Sequence, residues 1–454
     1  MPDQNIHPLA EAASQFVRRV DSREAVVGII GLGYVGLPLL LAFHQSGFRT
    51  IGFDIDPAKI EALEAGRTYI HHIPDGRVAA LAASMRARFT TDFDQLGEVD
   101  AIIICVPTPL TQYRDPDMSF VERTAEAIAP HLRRGQLVTL ESTTYPMTSE
   151  DLLASILERG SGLAAGRDFA IAYSPEREDP GNPDFDTNTI PKVVGADCEP
   201  AGDMAQALYA TVTSRVVRVP TMRTAEAVKL TENIFRAVNI ALVNELKVIF
   251  DRMGIDAFEV IDAAKTKPFG FMPFYPGPGI GGHCIPVDPF YLTWKAREFG
   301  VHTRFIELAG EINSGMPEWV VARLVEAMSD RLGKPIRGAR ILLVGLAYKK
   351  NVDDMRESPS LVLWELLESK GATVEYYDTY APVVRQTRKH GPLAGRRSIE
   401  WNSETLETFD AALIATDHDG VDLEELVRKV PLVVDSRGAT RSLSPELRER
   451  VVRA

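Results

Sequence analysis

The chain has 454 residues, 45% hydrophobic and 25% charged, with a formal net charge of −13. That length suits about three domains of ~150 residues, and the acidic balance argues against a nucleic-acid coat or an anionic membrane surface as partner. Three cysteines, Cys105, Cys198 and Cys284, show no paired spacing, so neither a disulfide framework nor a zinc site reads out of them, and a reducing cytoplasm fits best.

No run approaches the ~18 apolar residues of a membrane span. The opening MPDQNIHPLAEAASQFVRRVDSREA has no apolar core of the kind a signal peptide needs and reads as a short leading helix. VVGII, from Val26, is a buried strand; glycines, the helical LPLLLAFHQSG and the strand RTIGFDID follow. DAIIICVPTP, QLVTLESTTYP, FAIAYSPE, PKVVGAD and RVVRVP continue the series of strands to about Pro220. This alternation predicts a doubly wound parallel sheet. Thr224 to Met253 contains no glycine or proline and has helical spacing, which predicts one long helix. A glycine- and proline-rich loop, PGPGIGGHCIPVDP, comes next, then a helical run from about Phe305 to Leu332. After it the alternation returns: DAALIATDHD, from Asp410, echoes DAIIICVPTP, from Asp100. The expected fold is therefore α/β, with two Rossmann-like doubly wound domains joined by a long central helix and a helical dimerisation segment. The expected boundaries are 1–220 for the first Rossmann domain, 221–318 for the central helical segment and 319–454 for the second.

Gly31-Leu32-Gly33-Tyr34-Val35-Gly36 is a GxGxxG directly after a strand. The first glycine makes the turn, the second lets backbone approach a pyrophosphate, and the third lets helix and strand pack closely. Asp54, ending the next strand, suits a ribose 2′-hydroxyl and repels a 2′-phosphate, so NAD is expected over NADP. Lys59 lies either toward the adenosine side or in solvent. The second copy reads Gly345-Leu346-Ala347-Tyr348-Lys349-Lys350, with two glycines replaced. It should bind a different anion through side-chain charge, with Lys349, Arg356 and Arg437 as the candidates and surface cations as the alternative.

Cys284 sits in the most irregular loop of the chain, an odd place for a structural cysteine. Lys229 and Asn233 are four apart on the long helix and share a face. Asp288 follows Cys284 by four residues, and Glu176, in Ser174-Pro175-Glu176-Arg177, ends a strand of the first domain. His283 reads as a loop histidine, and no cluster has metal-ligand spacing.

GLGYVGLP, CVPTP, ESTTYP, SPER, EAVKLTEN, GGHCIPVDP and GLAYKKNVDDMRESP, in that order from Val26 to Arg437, resemble the UDP-sugar 6-dehydrogenase family. The resemblance implies NAD-dependent oxidation of the C6 alcohol of a UDP-sugar to a carboxylate in two steps, by a homodimer or higher homo-oligomer, for surface polysaccharide precursors. It implies Cys284 as the nucleophile that holds the intermediate aldehyde, first as a thiohemiacetal and then as a thioester. Lys229 and Asn233 would stabilise the oxyanion, Asp288 would orient water or the lysine, and Glu176 would be the acid/base. Thr143 would hold a catalytic water or the nicotinamide side of the cofactor, Thr108 would lie along the cofactor, and Arg356 would contact it. Lys349, Arg437 and Arg177 would contact the substrate, and Gly277, Gly279 and Gly281 would let the sugar approach the backbone. Val287 replaces the lysine typical of UDP-glucose enzymes. KPFGFMPFYPGPG, from Lys267, resembles the UDP-N-acetylhexosamine branch, with Phe269, Phe271, Met272, Phe274 and Tyr275 as an apolar wall for an acetamido group. UDP-N-acetylglucosamine is the substrate expected, with UDP-N-acetylmannosamine and UDP-glucose as rivals. A two-electron hydroxyacid dehydrogenase would not need the loop cysteine. A silent NAD-binding scaffold would need none of Cys284, Lys229, Asn233 and Asp288. Met147 departs from the glycine usual after ESTTYP, so a different turn is expected there.

Overall fold

A computed structural model describes residues 7–70, 73–111, 113–177, 189–196, 198–282, 285–387 and 389–454. The chain forms two compact units. One runs to Glu232 and takes in Phe290–Val301; the other holds Asn233–Pro289 and the chain from His302 onward.

The first unit contains β1 (Val26–Ile30), β2 (Arg49–Phe53), β3 (Ala87–Thr90), β4 (Ala101–Ile104), β5 (Leu137–Leu140), β6 (Ala170–Tyr173), β7 (Lys192–Gly195) and β8 (Val216–Val219). They form one sheet in the order β3-β2-β1-β4-β5-β6-β7-β8. The central strands are short apolar runs buried on both faces, as crossover helices require. The expectation of a wholly parallel sheet fails at one place: β7 runs antiparallel to β6, with Tyr173 opposite Gly195, and β8 then pairs parallel to β7. Helices Gly36–Gln45 and Glu199–Tyr209, with the leading helix Ala10–Asp21, bury Leu40, Phe43, Leu208 and Phe16 against it. The returning segment is anchored here by Tyr291, fully buried, whose hydroxyl donates to the Thr108 carbonyl at 2.7 Å.

The second unit contains β9 (Arg340–Val344), β10 (Thr373–Tyr377), β11 (Ala411–Ile414), β12 (Val433–Asp435) and β13 (Val451–Arg453). They form a parallel sheet in the order β10-β9-β11-β12-β13. The period-2 alternation of β9 sends Ile341 and Leu343 into one core and Leu342 and Val344 into the other, so both faces are covered. The long helix is Met222–Arg252, and the later one is Arg304–Leu332, which carries Pro317 without ending.

Candidate active site

In the first unit the glycine turn at the end of β1 meets the demands of a dinucleotide. Gly31 is left-handed at φ +90°, and a Cβ there would stand 2.6 Å from the Cys105 carbonyl oxygen. A Cβ on Gly36 would stand 2.0 Å from the Gly31 carbonyl oxygen, so helix and turn touch. In front of Gly33 there is open space, the room a pyrophosphate needs at a helix N-terminus. Tyr34 and Val35 complete the turn. Asp54 is buried and accepts from Leu32 N–H at 2.8 Å, Asp56 N–H at 3.0 Å and Lys59 Nζ at 2.8 Å. A carboxylate offers about four acceptor positions, which leaves capacity for a ribose hydroxyl. Lys59 is thus placed on Asp54. These residues fit NAD.

Glu176 lies just past β6, where open α/β sheets place their ligands. Its backbone carbonyl accepts from Lys229 Nζ, and Lys229 is buried. Its carboxylate is 3.4 Å from Lys192 Nζ. Lys192 also pairs with the buried Glu141 at 2.6 Å, and Glu141 accepts from Tyr209 Oη at 2.6 Å. Burial pushes the Glu141 carboxyl up against the pull of Lys192, and burial pushes the Cys105 thiol beside them well above its ordinary range. Arg177 pairs with Glu232 at 2.5 Å and donates to the Pro191 carbonyl at 2.6 Å.

Thr143 is half-buried in the loop after β5. Contrary to expectation, that loop keeps a glycine-like turn: Met147 takes φ +83°. Its N–H donates to Glu226 at 2.6 Å, and Ser149 gives the same carboxylate its N–H at 2.9 Å and its hydroxyl at 2.8 Å. Burial raises the Glu226 carboxyl to about 7.

In the second unit Asn233 and Asp288 are both buried, and the amide Nδ2 donates to the carboxylate at 2.5 Å. Arg236 donates to the Asn233 side-chain oxygen, which fixes the amide's orientation. Cys284 and His283 lie outside the described residues. The glycines before them are tightly packed, which the sequence reading of sugar access did not foresee. A Cβ on Gly277 would stand 2.6 Å from Arg437 Nη1, and one on Gly281 2.6 Å from Tyr348 Cβ. Gly279 is left-handed at φ +136°, with Pro359 3.2 Å from where its Cβ would stand. Arg437 donates from Nε to the Ala415 carbonyl at 2.8 Å, so the glycine loop, Tyr348 and Arg437 form one cluster. Lys349 is half-buried beside Tyr348. Arg356 is engaged by Asp354, Nη2 to Oδ2 at 2.6 Å, and its carbonyl accepts from Gly282 N–H at 3.1 Å. Of the aromatic run, Phe274 packs edge-on against Phe235 at 5.7 Å, and Tyr275 donates to Asp262 at 2.7 Å. Phe269, Phe271 and Met272 are exposed. Among the described residues no group of His, Cys, Asp and Glu could hold a metal, and no helix is long and apolar enough to cross a membrane.

Two Rossmann-like sheets, one carrying a complete NAD turn, define a dinucleotide-dependent oxidoreductase. Residues 25–213 match the NAD-binding domain of the UDP-glucose/GDP-mannose dehydrogenase family, 223–315 its central domain and 342–442 its UDP-binding domain. The chain is 37% identical over 371 residues to UDP-N-acetyl-D-glucosamine 6-dehydrogenase of Pseudomonas aeruginosa, covering 81% of this chain and 86% of that one. It is 36% identical over 394 residues to UDP-N-acetyl-D-mannosamine dehydrogenase of Pyrococcus horikoshii, covering 86% and 89%. The solved structure of UDP-D-ManNAc dehydrogenase from that organism superposes with a TM-score of 0.83 at 32% identity, over 94% of this chain and 98% of the other. The chain belongs to the UDP-glucose/GDP-mannose dehydrogenase family and is an NAD-dependent oxidoreductase.

Lys192, Glu141 and Glu226 were missed from sequence. Their one signal is a charged residue inside an otherwise apolar stretch, and that pattern does not say which partner meets it.

Proposed function

We propose that this enzyme oxidises the C6 alcohol of a UDP-N-acetylhexosamine, UDP-N-acetylglucosamine by preference, to the uronic acid. The observation that carries the reading is the buried Asn233–Asp288 pair, at the end of the loop that contains Cys284. A buried amide locked by a carboxylate on one side and Arg236 on the other is a preorganised donor, suited to charge that develops on oxygen. NAD, which the Gly31–Gly36 turn and Asp54 would hold, would supply the hydride acceptor for each of two oxidations, one cofactor molecule per step. Lys229, held at the Glu176 carbonyl, and Asn233 stabilise the C6 oxyanion. The Cys284 thiolate adds to C6 of the aldehyde, forming a C–S bond while the aldehyde oxygen takes a proton. Oxidation of that thiohemiacetal leaves a thioester. Water, giving its proton to Glu176, adds to the thioester; the C–S bond breaks and the thiolate is restored. The sum is one alcohol, two NAD and one water giving one carboxylate, two NADH and three protons.

Lys349 and Arg437, on the second sheet, would take the UDP phosphates, and Thr108 and Thr143 would line the cofactor. Phe274 and Tyr275 would flank the acetamido group. Phe235, Leu242 and Ile249 are each about half exposed and recur every seven residues on the long helix, which supports pairing with a second copy of the chain. Precursors of surface polysaccharide made in the cytoplasm are the setting this chemistry fits. UDP-N-acetylmannosamine is the second reading, favoured by the likeness to the Pyrococcus horikoshii structure.

The test is NADH formed per acid, with UDP-N-acetylglucosamine, UDP-N-acetylmannosamine and UDP-glucose compared by kcat/KM. Two NADH per acid and a preference for the first are expected. A clear preference for UDP-glucose would sink the substrate assignment. In Cys284→Ser, acid formation should fall by at least ~10³-fold, because a serine hydroxyl is a poorer nucleophile toward the aldehyde, and an alkoxide a poorer leaving group, than the thiolate. Near-normal acid from that variant would remove the thioester route.

A further inference from the structure

The antiparallel β7 has a consequence for the site. In a parallel sheet the first residue of a strand lies at the end away from the ligand crevice. Because β7 is reversed, with Gly195 opposite Tyr173, its first residue, Lys192, falls across from Glu176, at the carboxyl ends of β5 and β6. A lysine at the head of a buried strand would otherwise be a liability. Here its Nζ is anchored at 2.6 Å by Glu141, which is itself held by Tyr209 Oη at 2.6 Å, and the Tyr209 ring lies 5.5 Å beneath the ammonium. With the amine so fixed, the Glu176 carboxylate meets it at 3.4 Å, while the Glu176 carbonyl receives Lys229.

We propose that Lys192 is a positioning residue that fixes the Glu176 carboxylate for its acid/base role; this rests on the reading of Glu176 given above. The charged and titratable groups beside this carboxylate are Lys192, Glu141 and the Cys105 thiol; Lys229 holds the Glu176 backbone carbonyl, and Tyr209 faces Glu141. Burial opposes charge on Lys192, but Glu141 and Glu176 outweigh it and keep the amine protonated. One ammonium thus stands between two neighbouring carboxylates. Remove it, and Glu176 loses its nearest counter-charge, so a proton binds there more readily. A lysine that merely braced Glu141 against Tyr209 would not change the protonation of Glu176.

The experiment follows NADH formation from the UDP-sugar that the wild type oxidises, from about pH 5 to pH 10. It compares wild type with Lys192→Met, Lys192→Arg and the double variant Glu141→Gln/Lys192→Met, each checked for folding by NADH binding and circular dichroism. In Lys192→Met the acid limb of kcat/KM should move up by at least about one pH unit. Lys192→Arg should keep the wild-type limb. Where Lys192→Met does not fold, the double variant, which leaves no lone buried charge at Glu141, carries the same expectation with a smaller shift. An acid limb unmoved in the folded variant, with only kcat lowered, overturns the proposal. A wild type that forms no NADH from any UDP-sugar overturns the reading of the site itself; an active wild type with an unmoved limb overturns Lys192 alone.

Discussion

The turns at Gly31 and Gly345 begin alike. Both glycines are left-handed, at φ +90° and +84°, and a Cβ on either would strike a carbonyl oxygen, Cys105 at 2.6 Å or Thr416 at 2.4 Å. The next residue in each donates its N–H to the acid that ends the neighbouring strand: Leu32 to Asp54 at 2.8 Å, Leu346 to Asp378 at 2.6 Å. Then they part. After Gly31 a helix starts at once, at Gly36, so its N-terminus follows the turn directly. After Gly345 no helix starts before Pro359, and the intervening stretch carries Lys349, Lys350 and Arg356. Asp54 keeps acceptor capacity beside a partly exposed lysine. Asp378 is sealed, accepting from Leu346, Ala347, Tyr380 and Ala381 N–H and pairing with a fully buried His418 at 3.0 Å. Asn351 N–H donates to His418 Nδ1, so Nε2 carries the proton toward Asp378. The same strand–turn–strand frame thus leads into a helix N-terminus in one copy and into a cationic stretch in the other. In the first copy the strand-end acid keeps acceptor capacity, and in the second it is spent on the fold.

That contrast predicts unequal losses. Asp378→Ala strips an acceptor from four backbone N–H groups, three of them buried, and from the buried His418, and should destabilise by ~3–5 kcal/mol in urea unfolding. Burial pushes the Asp378 carboxyl up, but His418 and the N–H groups of Leu346 and Ala347 outweigh it and hold it below its ordinary value. With a lowered folded pKa, its stabilisation is present above the carboxylate range and is lost as pH falls through it. A wild type and an Asp378→Ala variant that lose stability in parallel below about pH 4 would remove this assignment. Asp54→Ala should instead act mainly on the cofactor, raising the NAD dissociation constant by ~10- to 100-fold and narrowing the preference over NADP. Equal use of both cofactors by the wild type would contradict the ribose role.

The second copy also holds a buried amine under its glycine loop. Lys247 Nζ donates to the Gly277 carbonyl at 3.4 Å and the Ser436 carbonyl at 3.3 Å. Burial, with the neighbouring Arg437, lowers its pKa to about 7. Between about pH 7 and the ordinary lysine range near 10.4 the unfolded chain therefore holds more protons than the native one, and stability rises with pH. Lys247→Met should flatten that rise by up to about 1.4 kcal/mol per pH unit, whatever its absolute stability. An unchanged slope would mean the amine stays charged when buried.

Much of this was legible in sequence for a physical reason. Gly31, Asp54 and the strands around them are local patterns: period, turn residue and strand end all sit within a few positions. The long helix was legible to within two residues at its start and one at its end because nothing in it breaks helical spacing. What stayed hidden depends on strand direction and on distant partners. PKVVGAD reads as a strand in either sense, so nothing local placed Lys192 beside Glu176. The close neighbours of the glycines at 277 and 281, Arg437 and Tyr348, are remote in sequence, so nothing local marked them. Asp378 stands at the end of its strand as Asp54 does, and only the fold reveals that His418 closes over it.

Met147 gives the finest version of the comparison. It adopts at φ +83° the geometry that Gly31 and Gly345 adopt without a side chain. A Cβ in the left-handed region costs about 1–2 kcal/mol. The turn holds regardless, because Glu226 captures Met147 N–H and both donors of Ser149. Met147→Gly removes the steric cost but adds backbone freedom to the unfolded chain, about 0.5–1 kcal/mol in the other direction. The net expectation is a gain of roughly 0.5–1 kcal/mol, seen as a higher urea midpoint with an unchanged slope. The Glu226 carboxyl, raised to about 7, should still stabilise below its ordinary range near 4.5 and lose that contribution as pH rises through 7, in variant and wild type alike. A lower midpoint for Met147→Gly would mean that the methionine side chain supplies packing worth more than the strain it imposes.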